Sequence, residues 1–429
     1  MISFLIILAI IISIILGYKT KINTGFFAIG FSYLIGCFIL KLDASKIISM
    51  WPIKIFFVIF AVSIFYNFPM TNGTLEKLSQ HMLYKTRKCP HLLPFAIFFS
   101  ATFIAGLGAG YFTVLAFFAP ITLILCEKTG LNKLTGALAV NYGSLAGANF
   151  MTSASGIIFE SLIENAGYTV EAFSYTSIIF VSTMIIPIIV LALLITKNKA
   201  HMKGKNLEVA VPEKFNSTQI NTLRLIFSMV FLVLIFPILN TLFPTNDFIN
   251  FINSKLDIGL IAILFSIIAF LMKLGKEKEI IAKVPWNTLI MICGVGMLIS
   301  VAIKAGTIEL LSSWIGTNIP KLLIPIVLCI IGGIMSSFSS TLGVVAPALF
   351  PVIPIIAQTT GLNPAILFTA TIVGAQATSI SPFSSGGSLI LGSATEEERD
   401  GLFELLLFKG VSIALISSII FSIILSVIL

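Results

Sequence analysis

Charge is scarce in this chain, and acidic charge scarcer still. Charged side chains make up 10% of its 429 residues, with 18 acids against 26 bases. A soluble domain covers its surface with roughly 25% charged residues, so a water-soluble fold of this length is excluded. Only three histidines occur (His81, His91 and His201), and all fall in or beside predicted loops. The five cysteines (Cys37, Cys89, Cys126, Cys293 and Cys329) show no metal-ligand spacing and mostly sit in apolar runs. There a thiol behaves as a small hydrophobe. Carboxylates keep to predicted loops or to the ends of apolar spans, as at Glu160. An enzyme working inside a membrane needs buried titratable groups. No catalytic residue and no cofactor is therefore expected, and an enzyme is disfavoured. The net charge of +8 is spread over short loops, which reads as a topology signal and not as a nucleic-acid surface.

What the chain has in abundance is apolar length. Hydrophobic residues make up 57% of it, and the mean hydropathy is +1.08. A membrane span needs roughly 20 apolar residues. Plain spans are predicted at 2–17, 24–41, 50–67, 172–196, 222–244, 257–274, 286–304 and 409–429. The first lacks a basic leader and a small-residue cleavage site, so it reads as a retained helix and not as a signal peptide. The chain thus reads as one all-α, multi-pass membrane unit.

Two regions depart from that template. Residues 92–126 and 320–357 are apolar but interrupted, at Gly106–Gly110 and at Ser336–Thr341. Each has the length of two half-helices meeting at a tip and reads as a re-entrant hairpin. Each is followed by a broken span: 133–163, interrupted near Gly143–Ser155, and 364–392, interrupted near Gly374–Gly387. Non-helical backbone at membrane depth persists only where it is buried in protein or lines a watery cavity.

The halves repeat. An offset of 231 pairs Pro120 with Pro351 and Thr129-Gly130-Leu131-Asn132 with Thr360-Gly361-Leu362-Asn363. It also pairs Gly143 with Gly374, Ser153 with Ser384 and Gly156 with Gly387, while Trp51 and Trp286 open matching spans at an offset of 235. In the four-residue run, Gly closes one helix and Asn caps the next. If each hairpin returns to its own side, each half crosses five times, and the second half is upside down. This gives two inverted-topology repeats, 1–196 and 222–429, joined by a polar linker at 197–221. The termini share one side, which carries only Lys41, Lys46, Lys54, Lys255, Lys304 and Lys321 of the 26 bases. By the positive-inside rule the opposite side, with the linker, is cytoplasmic, and both termini are extracytoplasmic in a cell membrane. Segments 74–88 and 395–408 read as interfacial amphipathic helices.

At the breaks, a half-helix start presents backbone amides and partial positive charge, while freed carbonyls at the other end can ligate a cation. Hydroxyls and glycines cluster there. In the second half they are Ser336, Ser337, Ser339, Ser340 and Thr341, with Thr378, Ser379, Ser381, Ser384 and Ser385. In the first half they are Gly106, Gly108, Gly110, Asn149, Thr152, Ser153 and Ser155. With no acid in the apolar spans to relay protons, neutral oxygen ligands favour Na⁺ as the coupling ion over H⁺.

This order of parts resembles the ion transporter superfamily, in particular the divalent anion:Na⁺ symporters and the malonate-type dicarboxylate carriers. Their hairpin tips carry a Ser-Asn-Thr motif. Ser339-Ser340-Thr341, followed by Pro347 and Pro351, resembles it with Ser340 in the asparagine place. The first tip, Gly108-Ala109-Gly110, keeps no side-chain ligand, and Gly147–Gly156 and Ser379–Gly387 stand where the family has a Gly-Thr-Pro-Pro-Asn-like stretch. The resemblance implies an elevator-type carrier of di- or tricarboxylates, coupled to Na⁺ and built as a homodimer. We assign Ser340, Thr341, Asn149, Thr152, Ser153, Ser384 and Ser385 to a small anionic solute. Ser336, Ser339, Thr378, Ser379, Gly106, Gly108, Gly110 and Gly147 are assigned to Na⁺. The competing readings are carriage of an inorganic anion or other small solute in proton-coupled or exchange mode, and a passive channel or assembly subunit. A channel prefers a continuous pore with rings of charge, which broken, offset helices do not supply.

Overall fold

The computed structural model describes residues 2–86, 92–198, 211–243 and 245–428. Cys89, His91, His201 and residues 199–210 of the linker lie outside the described residues. The first half runs α1 (Ile2–Thr20), α2 (Thr24–Tyr33, prolonged by a π-turn to Ile39), α3 (Ala44–Ile48), α4 (Ile53–Thr71) and α5 (Thr74–Thr86). It continues through α6 (Leu93–Ile104), α7 (Tyr111–Thr129), α8 (Lys133–Ala148), α9 (Ala154–Asn165) and α10 (Ala172–Asn198). The second half opens with α11 (Ser217–Leu242), α12 (Asp247–Lys255), α13 (Ile258–Leu271), α14 (Glu277–Ala282), α15 (Trp286–Lys304) and α16 (Thr307–Asn318). It closes with α17 (Ile324–Phe338), α18 (Ala346–Leu349), α19 (Ile353–Thr360), α20 (Pro364–Ala377), α21 (Ser385–Gly392), α22 (Glu396–Glu404) and α23 (Val411–Ile428).

A chain solvated by lipid must satisfy every backbone N–H and C=O internally, which is why apolar runs of this length become helices. Among the described residues, nine helices are long and apolar enough to cross a bilayer, or eleven if the bent pairs α12–α13 (72°) and α16–α17 (119°) each count as one. Large apolar side chains such as Phe4, Leu271 and Val427 stay on the outside of the bundle, where a soluble protein would place charge. Inside, one apolar core gathers Phe98, Phe118 and Leu138 from α6–α8, and another gathers Leu298, Phe350 and Phe368 from α15–α20.

Two expected boundaries move. Helix α11 begins at Ser217 and not at 222, because Asn216 and Gln219 form a capping box: Gln219 N–H donates to Asn216 Oδ1 (2.8 Å) and Asn216 N–H to Gln219 Oε1 (3.1 Å). The last residues of the expected linker are thus helical. The two tryptophans are not equivalents either. The matched helices α4 and α15 are both 19 residues long and start after Pro52 and Pro285, an offset of 233. Proline, with its fixed φ, sets the start of each helix.

Downstream, the offset of 231 recurs in the hydrogen bonds themselves. Gly130 and Gly361 both adopt the left-handed conformation (φ 75° and 67°) and donate to Cys126 O and Ala357 O. Asn132 accepts from Leu134 N–H at 2.8 Å, and Asn363 from Ala365 N–H at 3.0 Å. A Cβ on Gly143 would lie 2.5 Å from Phe98 O, and one on Gly374 would lie 2.0 Å from Cys329 O. Each broken helix therefore rests backbone to backbone on the first arm of its own hairpin, an approach only glycine permits.

Ion pairs and hydrogen bonds tie loops that the expected topology places on one side. Lys54 pairs with Glu164 (2.5 Å), and both fall on the side of the termini. On the opposite side, Lys133 pairs with Glu398, Lys77 with Glu213 (3.3 Å), Asn23 Nδ2 donates to Asn287 O (2.7 Å) and Asn72 Nδ2 to Leu274 O (3.2 Å). At the second hairpin, Lys321 Nζ comes within 3.8 Å of the Cβ position of Gly361, so the start and the end of that hairpin meet.

Candidate functional site

The second hairpin tip is a cage of hydroxyls. Helix α17 stops where Ser339 becomes extended, and Ser340 then caps the returning arm by accepting from Gly343 N–H at 3.1 Å. Serine is a natural cap because its short side chain reaches back to the first free amides. Ser336 and Thr341 share a hydrogen bond of 2.8 Å across the tip, and Ser339 Oγ–H donates to Met335 O at 2.6 Å. Met291 of α15 presses on Gly343, holding the tip from outside.

The second break is similarly polar. After α20 a 3₁₀ turn, Thr378–Ile380, leads to Ser384, which caps α21 by accepting from Gly387 N–H (3.1 Å). The Ser384 hydroxyl donates to Ser379 O (2.5 Å) and Ser381 O (2.8 Å). Thr378 Oγ1–H turns away, donating to Gly333 O of α17 at 3.0 Å.

The first half is built differently. Its tip turns through Gly108 (φ 93°) and Gly110 (φ 71°), and the Tyr66 ring of α4 occupies the place where a Cβ on Gly108 would stand, 2.0 Å away. Tyr66 O–H donates to Thr152 O (2.9 Å) in the first break, and Ser153 Oγ–H to Ala105 O (2.7 Å) below the tip. Thr152 Oγ1 is buried without a hydrogen-bond partner.

Between the halves runs a chain of polar contacts. Tyr111 O–H donates to Asn141 Oδ1 (2.7 Å), and Asn141 Nδ2–H donates to Ser379 Oγ (2.8 Å). Tyr142 O–H donates to Ala377 O (2.7 Å). Asn149 and Gln376, both buried, form a closed amide pair with reciprocal N–H···O bonds of 2.9 Å. Unpaired, each amide would incur the cost of desolvating it without compensation; paired, they join the two breaks.

These parts enclose a cavity of about 540 Å³. Of the residues singled out in the sequence, its wall includes Gly108, Gly110, Ser155, Ser336, Ser337, Ser339, Ser340, Thr341, Ser379, Ser384 and Ser385. Gly106, Gly147, Asn149, Thr152, Ser153 and Thr378 are not in the wall; the last four are buried polar groups directed into helix–helix contacts or the break. Gly147 lies against Thr102 O, which serves helix packing. Sequence reasoning missed Tyr66, Tyr111, Gln376, Lys21 and Lys283, all of which line the cavity. Tyr66 and the two lysines lie away from the Gly and Ser clusters, while Tyr111 and Gln376 stand at them but are neither the glycines nor the hydroxyls that the interruption signal singles out. Asn141, one contact behind the wall, lies mid-helix and was equally silent. Among the described residues the wall holds no Asp or Glu, and it reaches Tyr18, Lys21, Lys283 and Pro285 on the side opposite the termini.

Residues 1–148 match the family model described as the N-terminus of the dicarboxylate carrier protein MatC, and residues 248–428 match that of a citrate transporter. No curated protein matches the chain. Among solved structures it is similar to MtrF of Neisseria gonorrhoeae, described within a class of antimetabolite efflux pumps. The identity is 14%, over 93% of this chain and 85% of that one, with a TM-score of 0.56. It is also similar to the YdaH transporter of Alcanivorax borkumensis, described as having an unusual topology. There the identity is 16%, over 89% of each chain, with a TM-score of 0.54. At such identities the likeness speaks for the fold alone: an all-helical, multi-pass membrane protein. The two family models, each under half of the chain, support the resemblance to dicarboxylate and other anion transporters, which are carriers and not enzymes.

Proposed function

We propose that this chain is a secondary active symporter of small organic anions, di- or tricarboxylates, driven by Na⁺. The observation that carries the reading is the cavity itself. It lies where two hairpin tips and both breaks converge, it presents hydroxyls and half-helix starts, and among the described residues its wall has no carboxylate. The helix starts at it include the arm capped by Ser340 and α21 capped by Ser384 in the second half, and α7 and α9 in the first, and each offers amides with partial positive charge. An anion gains hydrogen bonds there without facing a like charge. A volume near 540 Å³ admits a small carboxylate with its first waters. The two matching family models, both of carboxylate carriers, point to the same substrate class.

Na⁺ enters as cargo. The buried, unpartnered Thr152 Oγ1 and the carbonyls freed at the first break are neutral oxygens of the kind a hard cation takes. With the basic side cytoplasmic, the cavity faces inward. We take the hairpins and broken helices as the part that moves, elevator-fashion, within a homodimer.

The test is uptake by the full chain in proteoliposomes under an imposed Na⁺ gradient. Saturable accumulation of a C3 or C4 dicarboxylate or of citrate that collapses when K⁺ replaces Na⁺ is the expected result. Accumulation that follows a proton gradient, or no carboxylate uptake at all, overturns the Na⁺ symporter.

A further inference from the structure

We propose that Lys21 and Lys283 select the solute by its charge, acting as a fixed cationic pair at the mouth of the cavity. This rests on the reading of the chain as an organic-anion carrier. The tips and breaks can supply hydrogen bonds, but none of their side chains in the wall is ionised. The ionised groups of the wall are these two lysines. Neither has a carboxylate partner among the described residues, so their field is not cancelled locally.

Their position is built and not incidental. Lys21 follows α1, and its Nζ sits 4.7 Å from the centroid of the Tyr18 ring, itself part of the wall. Two residues on, Asn23 Nδ2 donates to Asn287 O at 2.7 Å, four residues beyond Lys283. Gly25 and Gly294 meet backbone to backbone just inside, locking α2 on α15. The segments that carry the lysines are thus tied to each other and lie outside both hairpins and both broken helices.

Both lysines are exposed and hydrated, so they act through their field and not through a buried ion pair. Low-dielectric walls focus such a field into a cleft, and salt screens it over about 8 Å at physiological ionic strength. The interaction scales with the charge of the ligand. Removing the pair therefore weakens a dianion by about the square of the factor by which it weakens a monoanion.

Succinate and its monomethyl ester, which differ by one charge and one methyl group, make that comparison in proteoliposomes containing the full chain, with solute presented to the side of the membrane on which the two lysines lie. For K21Q/K283Q the expected rise in KM is roughly threefold for the ester and roughly ninefold for succinate, with little change in maximal rate and both effects shrinking in high salt. K21R/K283R should hold KM near the original value. Equal rises for the two probes, or unchanged KM, overturn charge selection while leaving the carrier standing. If the unmodified chain takes up no carboxylate, the carrier reading fails, and this proposal with it.

Discussion

The two hairpin tips occupy equivalent places in the repeat and are filled from different sources. At the second tip the chemistry belongs to the tip: Ser336, Ser340 and Thr341 bond one another and the backbone around them. At the first, Gly108 and Gly110 offer only backbone, and tyrosines from a neighbouring helix and from the hairpin's own second arm take the space. Tyr66 lies against Gly108, and Tyr111 reaches across to the second broken helix, its hydroxyl standing 1.8 Å from where a Cβ on Gly386 would be. A repeat conserves backbone geometry because capping and close helix approach depend on it. It leaves the side chains facing the cavity free to diverge. The second half is therefore fitted to hold a polar solute, and the first to brace it.

That division predicts unequal responses to substitution. The largest effect should come from filling the second tip or break. Thr341→Trp or Ser384→Leu should lower uptake by about a hundredfold or more, since a displaced ligand of this kind misplaces the solute. Ser153→Ala, at the position equivalent to Ser384, should cost far less, because Ser153 bonds Ala105 O away from the cavity. Uptake normalised to membrane expression reads both, and equal losses would break the comparison. The next effect concerns the brace. Gly108→Ala places a methyl in the Tyr66 ring at a left-handed backbone position and should destabilise by about 1–3 kcal/mol. A lowered melting temperature, partly restored by adding Tyr66→Ala, is the expected outcome. Of similar size is the effect at the joint between the halves. Asn149→Leu takes the partner amide from Gln376, and Gln376→Leu leaves Asn149 only its bond to Thr183 Oγ1 (3.2 Å); each should cost about 1–3 kcal/mol. The double variant should recover part of that loss, and a thermal double-mutant cycle measures the coupling. Strict additivity would mean that the pair does not join the breaks.

Much of this architecture was legible beforehand for a physical reason. Apolar spans, Gly or Asn at helix ends and hydroxyl clusters at breaks are local signals, and Thr129–Asn132 against Thr360–Asn363 repeats them in order. The second tip and second break were therefore found by residue. Tyr66, inside an uninterrupted helix, was not, and neither were Tyr111 and Gln376, which stand beside the first tip and at the second break but carry no Gly or hydroxyl signal of their own; each gains its role only from what the fold brings opposite. Asn149 and Thr378 stand at breaks, which is why the sequence points to them as ligands. In the fold their side chains bond Gln376 and Gly333 O instead.

By itself, the sequence determined that this is a multi-pass helical protein with two interrupted regions in each half, since scarcity of charge and long apolar runs leave no other solvent than lipid. It also determined where those interruptions fall, because capping and helix closure are settled within a few residues. Which interrupted side chains face the cavity, that tyrosines fill the bare first tip, and that Lys21 and Lys283 meet at one mouth were decided only by tertiary structure. Those facts join residues far apart in the chain, and only packing brings them to one cavity.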